Sequence, residues 1–250
     1  MLLAVDIGNS NIKFGIYDGE SLISDFSIPT NGAASSKDIS RALAEHLNQD
    51  ITTAIICSVV PELNAVLSDA LSMLYAVTPV LVGNDFDFGL GINYQPLTAV
   101  GTDRLVNAFS AVEKYGVPVI VCSFGTALTV DFVSRDRVLK GGVIAPGMKL
   151  LTAALKMTTS QLPEVEIVKP TRVLQNTTVG SIQSGIFHGY IGLVEGLLTR
   201  VTDEIGESAR VIATGGFANL VAEQISQIDA VDRTLTLDGL RRLAQRIGVT

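Results

Sequence analysis

The stretch Leu2-Leu3-Ala4-Val5-Asp6-Ile7-Gly8-Asn9-Ser10-Asn11-Ile12-Lys13-Phe14-Gly15-Ile16-Tyr17 opens the chain with an apolar run, a Gly/Asn/Ser turn and a second apolar run. Run lengths and turn residues predict two antiparallel strands joined tightly, and Asp18-Gly19 then turns into a third strand over Ser21 to Ile28. The same order returns later: Val117 to Cys122 as a strand, Ser123 to Thr126 as a turn, and Leu128 to Val133 as a strand. Sliding the chain on itself from Gly8 to Gly125 also sets Asn9 over Thr126, Ile12 over Thr129 and Leu22 over Leu139. A duplicated unit leaves such a trace.

Helical and strand signals alternate around the two hairpins. An amphipathic helix is expected over Lys37 to Leu47, a strand over Thr53 to Cys57, a helix after Pro61 and a short strand over Val80 to Val82. Further helices are expected over Thr102 to Tyr115, Met148 to Lys156 and Ser181 to Leu198, with a strand over Arg210 to Ala213. The fold class is therefore α/β, with two similar domains, 1–116 and 117–250, joined through the helix at Thr102 to Tyr115.

The chain's 250 residues are 47% hydrophobic, ample for a packed core, and 17% charged. No uninterrupted apolar stretch is long enough to span a bilayer. Met1 to Asp6 has no basic leader segment, so a cytoplasmic location is expected. The net charge of -7, without basic runs interleaved with aromatics, argues against nucleic acid as a partner. Cys57 and Cys122 lack metal-ligand spacing and suit buried positions, and His46 and His188 read as structural or surface residues.

The chemistry concentrates at turns. Asp6 ends a strand, and the following Gly8, Asn9 and Ser10 offer backbone amides and short polar side chains to an anion, while the acid suits the Mg²⁺ that accompanies ATP. Gly125 and Thr126 form the matching turn of the second half. Two such turns facing a cleft would hold different phosphates of one nucleotide, an architecture of ribonuclease H-like, actin-like ATPase domains with the nucleotide between them. Neither a P-loop nor the protein-kinase signature set is present. Gly101-Thr102-Asp103-Arg104 precedes an amphipathic helix. Thr102 suits its N-cap, Asp103 can accept a proton from or orient an attacking hydroxyl, and Arg104 can pair with a carboxylate or phosphate. Gly141-Gly142 to Gly147, and Thr214-Gly215-Gly216, permit close backbone approach to a ligand.

Together with Ser58-Val59-Val60-Pro61, Tyr94-Gln95-Pro96 and Asn176-Thr177 with Gly185, these pieces occur in the order seen in one family. From end to end the chain resembles the type III pantothenate kinases. The resemblance implies ATP-dependent phosphorylation of pantothenate, the first step toward coenzyme A. It implies Asp6 at the metal, with Gly8, Asn9, Ser10, Lys13, Gly125 and Thr126 around the phosphates. It implies Asp103 as the activating acid, with Tyr94, Gly101, Thr102 and Arg104 lining the pantothenate site. Thr177 is expected to reach that site from a second copy of the chain, and a homodimer and a K⁺ or NH₄⁺ requirement are expected.

One position departs from the family pattern. Cys122-Ser123-Phe124-Gly125 puts Ser123 where an acid usually stands two residues before the second glycine turn, at the monovalent-cation position. Ser123 motivates a rival reading, a kinase-like binding or regulatory protein without turnover. Retention of Asp6, Asp103, Arg104 and both turns argues for the enzyme. The apolar residues Ile182, Ile186, Ile191, Leu193, Val194, Leu197 and Leu198 exceed what a one-sided helix needs, and a face between subunits or a helix buried within one chain would use them.

Overall fold

The computed structural model describes residues 1–30, 35–47 and 50–249. The chain forms two compact units, Met1–Lys114 with Thr234–Thr250, and Tyr115–Arg233.

In the first unit the expected hairpins form as β1 (Leu2–Ile7), β2 (Asn11–Asp18) and β3 (Ser21–Pro29). β2 lies antiparallel to both β1 and β3, while β4 (Thr53–Ser58) and β5 (Val80–Val82) continue the sheet in parallel, giving the order β3-β2-β1-β4-β5. Parallel neighbours need crossovers. α1 (Ser36–His46) makes the one into β4, started by a Ser35/Asp38 capping box, and α2 (Glu62–Tyr75) makes the one into β5. Ile39, Leu43, Leu63, Leu67 and Leu71 from these helices pack on Leu3, Val5 and Ile7 of β1. β6 (Gly91–Ile92) and α3 (Thr102–Tyr115) follow.

The second unit repeats the frame. β7 (Val119–Phe124) and β9 (Val138–Pro146) each begin 117 residues after their counterparts, Leu2 to Val119 and Ser21 to Val138. With β8 (Ala127–Val133), β10 (Arg210–Thr214) and β11 (Ala230–Val231), neighbouring strands run β11-β10-β7-β8-β9, with the same parallel and antiparallel pairings as the first sheet. The second hairpin is one residue shorter, since Ile7 pairs with Ile12 but Phe124 pairs with Leu128. The structural counterpart of Ile12 is therefore Leu128 and that of Lys13 is Thr129, one position from the plain offset.

One expectation changes, and one open alternative is decided. Residues 234–250 do not stay with the second half, because α7 (Leu235–Arg246) lies on β1, β2 and β4 of the first unit and buries Leu237, Leu240 and Leu243. An amphipathic pattern shows that a helix covers a sheet without saying which sheet. The alternative left open for α5 (Thr178–Ile205) is decided for burial within the chain, since its Ile182, Ile186, Ile191, Val194 and Leu198 lie in its own unit's core. Leu193 and Leu197 pack against that core, so this face is not free for a second subunit. α4 (Met148–Thr158) and α6 (Ala218–Ala222) complete the unit.

Candidate active site

In the first unit the chemistry gathers at the ends of β1 and β4. Asp6 is nearly wholly buried, and its carboxylate is held from both sides. Lys13 Nζ lies 3.3 Å from Oδ2, and Cys57 Sγ lies 3.6 Å from Oδ1. At the adjoining turn the Gly8 amide donates to the Asn11 carbonyl at 3.1 Å, the Thr30 hydroxyl donates to the Gly8 carbonyl at 2.6 Å, and the Thr30 amide donates to Ser10 O at 2.9 Å. Internal bonds thus fix the turn and leave Asn9 and Ser10 on its exposed tip.

α3 begins beside this point. Thr102 is its first residue rather than its N-cap, and the Thr102 hydroxyl donates to the Ser58 carbonyl at 2.9 Å, pinning the helix start to the end of β4. Gly101 O accepts the Arg104 amide at 3.0 Å, and Asp103 Oδ1 accepts the same amide at 2.9 Å. The buried Arg104 guanidinium donates to the Tyr94 hydroxyl at 3.3 Å and stacks over the Tyr94 ring at 5.2 Å. Burial first, then the Asp6 and Asp103 carboxylates, push the Cys57 thiol well above its ordinary range. One thiol therefore feels both acids, and the first unit brings Asp6, Asp103 and Arg104 into one neighbourhood.

In the second unit two loops converge on the Phe124–Thr126 turn. The Gly125 amide donates to the Ala127 carbonyl at 3.1 Å, and the Gly147 amide to the Thr126 carbonyl at 3.1 Å. A Cβ on Gly147 would collide with the Gly125 and Thr126 carbonyls, and one on Gly215, at φ +97°, would meet Phe124 backbone atoms at 2.6 Å. These two glycines serve contact between the chain's own backbones, not the approach to a ligand that the sequence suggested. Ser123 is half-buried and pairs with Thr129 and Thr214, so the row holding Lys13, Asp6 and Cys57 in the first unit holds hydroxyls in the second. Asp131, also buried, lies two positions beyond Thr129 and shares its face of the sheet.

Thr177 caps α5 by accepting the Gly180 amide at 3.1 Å. It lines a cavity of about 620 Å³ with Leu155, Leu162, Asn176, Ser181 and Ile186. His46 bonds the Ala42 carbonyl and stacks on Phe26, and His188 packs edge-on to Phe187, so both histidines are structural. Among the described residues no group of three or more His, Cys, Asp or Glu could by itself hold a metal.

Comparison with known proteins decides the family. The family model for type III pantothenate kinase matches residues 2–200. The chain belongs to the type III pantothenate kinases. A relative of that name from Geotalea daltonii is 42% identical, over 98% of each chain. Among solved structures, a conserved Campylobacter jejuni protein assigned to the Baf family of transcriptional activators superposes with TM-score 0.62 at 19% identity, covering 99% of this chain and 100% of that one. A Sinorhizobium meliloti protein assigned as a 2-dehydro-3-deoxygalactonokinase gives TM-score 0.59 at 13% identity, covering 99% of each. These two likenesses concern the fold alone, which is that of the actin-like ATPases and sugar kinases.

Within this pantothenate kinase, sequence reasoning missed two residues. Cys57 read as an apolar filler, because its place beside Asp6 follows only from the parallel pairing of β1 with β4. Asn84 gave no signal, yet its side-chain amide donates to Leu97 O at 2.9 Å and Val100 O at 2.6 Å, bracing the segment between Tyr94 and Gly101.

Proposed function

We propose that this enzyme transfers the γ-phosphoryl group of ATP to the primary hydroxyl of pantothenate, releasing 4'-phosphopantothenate and ADP at the entry to coenzyme A synthesis. Asp103, at the start of a helix whose position is fixed by Thr102 and Ser58, orients the attacking hydroxyl and takes its proton. Tyr94, Gly101, Thr102 and Arg104 hold pantothenate, with the Arg104 fork on its carboxylate. The observation that carries this assignment is Arg104: a buried guanidinium set on the Tyr94 ring one residue from Asp103 supplies a fixed cation beside the acid.

Gly8, Asn9, Ser10 and Lys13 in the first unit, and Gly125 and Thr126 in the second, take the phosphates through amides, hydroxyls and the lysine cation. Asp6 fits the divalent metal that the family requires, proposed as Mg²⁺. That ion keeps several waters and binds through one or two carboxylates plus substrate phosphates, so the lack of an all-protein metal cluster among the described residues suits it. When bound it neutralises phosphate charge. K⁺ or NH₄⁺ would meet the hydroxyls of Ser123, Thr129 and Thr214, with the buried Asp131 carboxylate diagonal to them on the same face of the sheet. A homodimer is proposed in which Thr177 reaches the partner's pantothenate. Exposed Leu150, Met157, Val173, Leu174 and Val179, on the segments around the Thr177 cavity, support an interface there instead of on the buried face of α5. No helix among the described residues is long and apolar enough to cross a membrane, and the proposed location is the cytoplasm.

ADP release in a coupled assay across pantothenate, sugars and short carboxylic acids tests the substrate. Pantothenate is expected to be turned over, and Asp103→Asn to cut kcat by about 10²- to 10⁴-fold with ATP binding nearly unchanged. A fully active Asn variant would remove Asp103 from the mechanism. Absence of pantothenate turnover under varied salt would favour the binding-protein reading that Ser123 raises.

A further inference from the structure

We infer that Cys57 is a positioning residue for the Asp6 carboxylate, fixing the plane in which that acid meets the metal-nucleotide; the inference rests on the assignment of Asp6 proposed above. The parallel register of β1 and β4 places Cys57 beside Asp6, and the antiparallel register of β1 and β2 places Lys13 on its other side. Cross-strand neighbours project from the same face of a sheet, so lysine, carboxylate and thiol form one row. The contacts divide the carboxylate between them, Lys13 at Oδ2 and Cys57 at Oδ1.

The two partners are unequal. The Lys13 side chain is 37% exposed and hangs on a flexible stem, whereas Cys57 is fully buried and carries its sulfur one bond from a strand Cβ. A carboxylate tethered at one oxygen by a mobile lysine keeps its terminal torsion. A second, immobile contact at the other oxygen removes it. A thiol is a weak donor, and each carboxylate oxygen has a second lone-pair direction, so Cys57 orients Asp6 while leaving it able to bind a cation. Packing alone does not call for sulfur at this position. Ile56 and Ala54 of the same strand belong to the apolar core under α1 and α2, and Cys57, on the alternate face of β4, does not. In the second unit, where the same row reads Thr129, Ser123 and Thr214, neither a carboxylate nor a thiol is present.

The test uses full-length protein, Mn²⁺ as the probe and a non-hydrolysable ATP analogue, with free Mn²⁺ followed by electron paramagnetic resonance. Cys57→Val keeps an apolar side chain at the position, adds about one methyl group, and has no donor. It is expected to weaken Mn²⁺ binding about 10-fold, the lower end for residues that support a metal ligand. Cys57→Ser, which restores a donor, should recover binding to within about threefold. The pantothenate KM should hardly move in either, which separates positioning of Asp6 from a general loosening of the unit. Asp6→Asn is the control. If Asp6→Asn weakens Mn²⁺ binding and Cys57→Val does not, Cys57 has no positioning role. If Asp6→Asn itself binds Mn²⁺ like the natural protein, the assignment of Asp6 fails first. Should Cys57→Val not fold by near-ultraviolet circular dichroism, Cys57→Ala, smaller and equally without a donor, replaces it with the same expected loss.

Discussion

Replacing Ser123 with Asp should convert this enzyme from one indifferent to potassium into one that depends on it. Ser123 is half-buried and flanked by Thr129 and Thr214, so the natural row presents a monovalent ion with dipoles and no net charge. A carboxylate there would attract a K⁺ at about 3 Å with roughly 5 kcal/mol at an effective dielectric constant near 20, a gross figure that ion dehydration and solvent reduce. It would also stand diagonal to buried Asp131, whose side chain shares the face at about 7 Å and would repel the new charge by roughly 2 kcal/mol before screening. The variant should therefore be strained without a cation and relieved by one. With 1.4 kcal/mol worth a factor of ten, a net gain of about 1.5 to 3 kcal/mol corresponds to a potassium midpoint tighter by on the order of 10- to 100-fold. The assay titrates K⁺ against choline at constant ionic strength, reading both turnover and Tm. The natural protein should give flat curves, and the Asp variant should gain turnover and Tm with K⁺. Saturating potassium activation of the natural protein, with an unchanged midpoint in the variant, would show that position 123 is not the cation site.

Three further outcomes are expected. Arg104→Lys should raise the pantothenate KM by about 10-fold or more and leave the ATP KM nearly unchanged, because a lysine cannot supply the planar fork that stacks on Tyr94; steady-state kinetics with each substrate varied checks this. Asp238 is pushed up by burial, but bonds from Lys114 at 2.5 Å, Tyr17 at 2.9 Å and Thr234 outweigh it and hold its carboxyl below the usual range. A depressed pKa stabilises above the unfolded value and loses that contribution as pH falls through the folded one. Asp238→Asn should therefore lose about 2 to 4 kcal/mol in urea unfolding at pH 7, and its deficit should shrink below about pH 4. Light scattering should give twice the 26.4 kDa chain mass, and Leu174→Glu with Met157→Glu, at two exposed apolar positions, should shift it to the monomer; a natural protein that scatters as one chain would overturn the dimer.

Much of the frame was legible in the sequence because it is written in local patterns. Strand lengths, glycine turns and their spacing carry β1, β2, β3, β7 and β8 to within a residue or two, and the repeat between Gly8 and Gly125 follows from them, whereas the glycines from Gly141 hid the extent of β9. What the sequence could not carry is pairing. The amphipathic pattern of α7 fits either sheet, and only the packed structure places Leu237 and Leu240 in the first unit. The apolar stripe of α5 fits an interface as well as a core. Thr102 fits a helix cap as well as its observed bond to Ser58, because both uses need one hydroxyl at one helix start. Glycines announce that backbones come close without saying whose, and at Gly147 and Gly215 the partner is the chain itself. Cys57 shows the same limit, since nothing near it in sequence mentions Asp6.

The repeated frame also bears on what Ser123 changes and what it leaves alone. Each unit closes its turn chiefly through backbone groups: in the first, the Gly8 amide and the Ser10 carbonyl, helped by the Thr30 hydroxyl, and in the second, Gly125, Thr126 and Gly147. None of these bonds involves the side chain at the row position, so exchanging a carboxylate for Ser123 leaves the amide cradle standing. The electrostatics change instead. Among the row positions, fixed charge survives in the first unit at Asp6 and Lys13, and the second keeps only hydroxyls that can donate to an anion or accept from a donor without changing charge. On the proposed placement of the phosphates, an acid missing from this row removes a repulsion as well as a cation ligand. A neutral second row therefore has less need of a bound cation to screen it from phosphate, which makes a potassium-indifferent kinase the physical expectation for this chain rather than a crippled one.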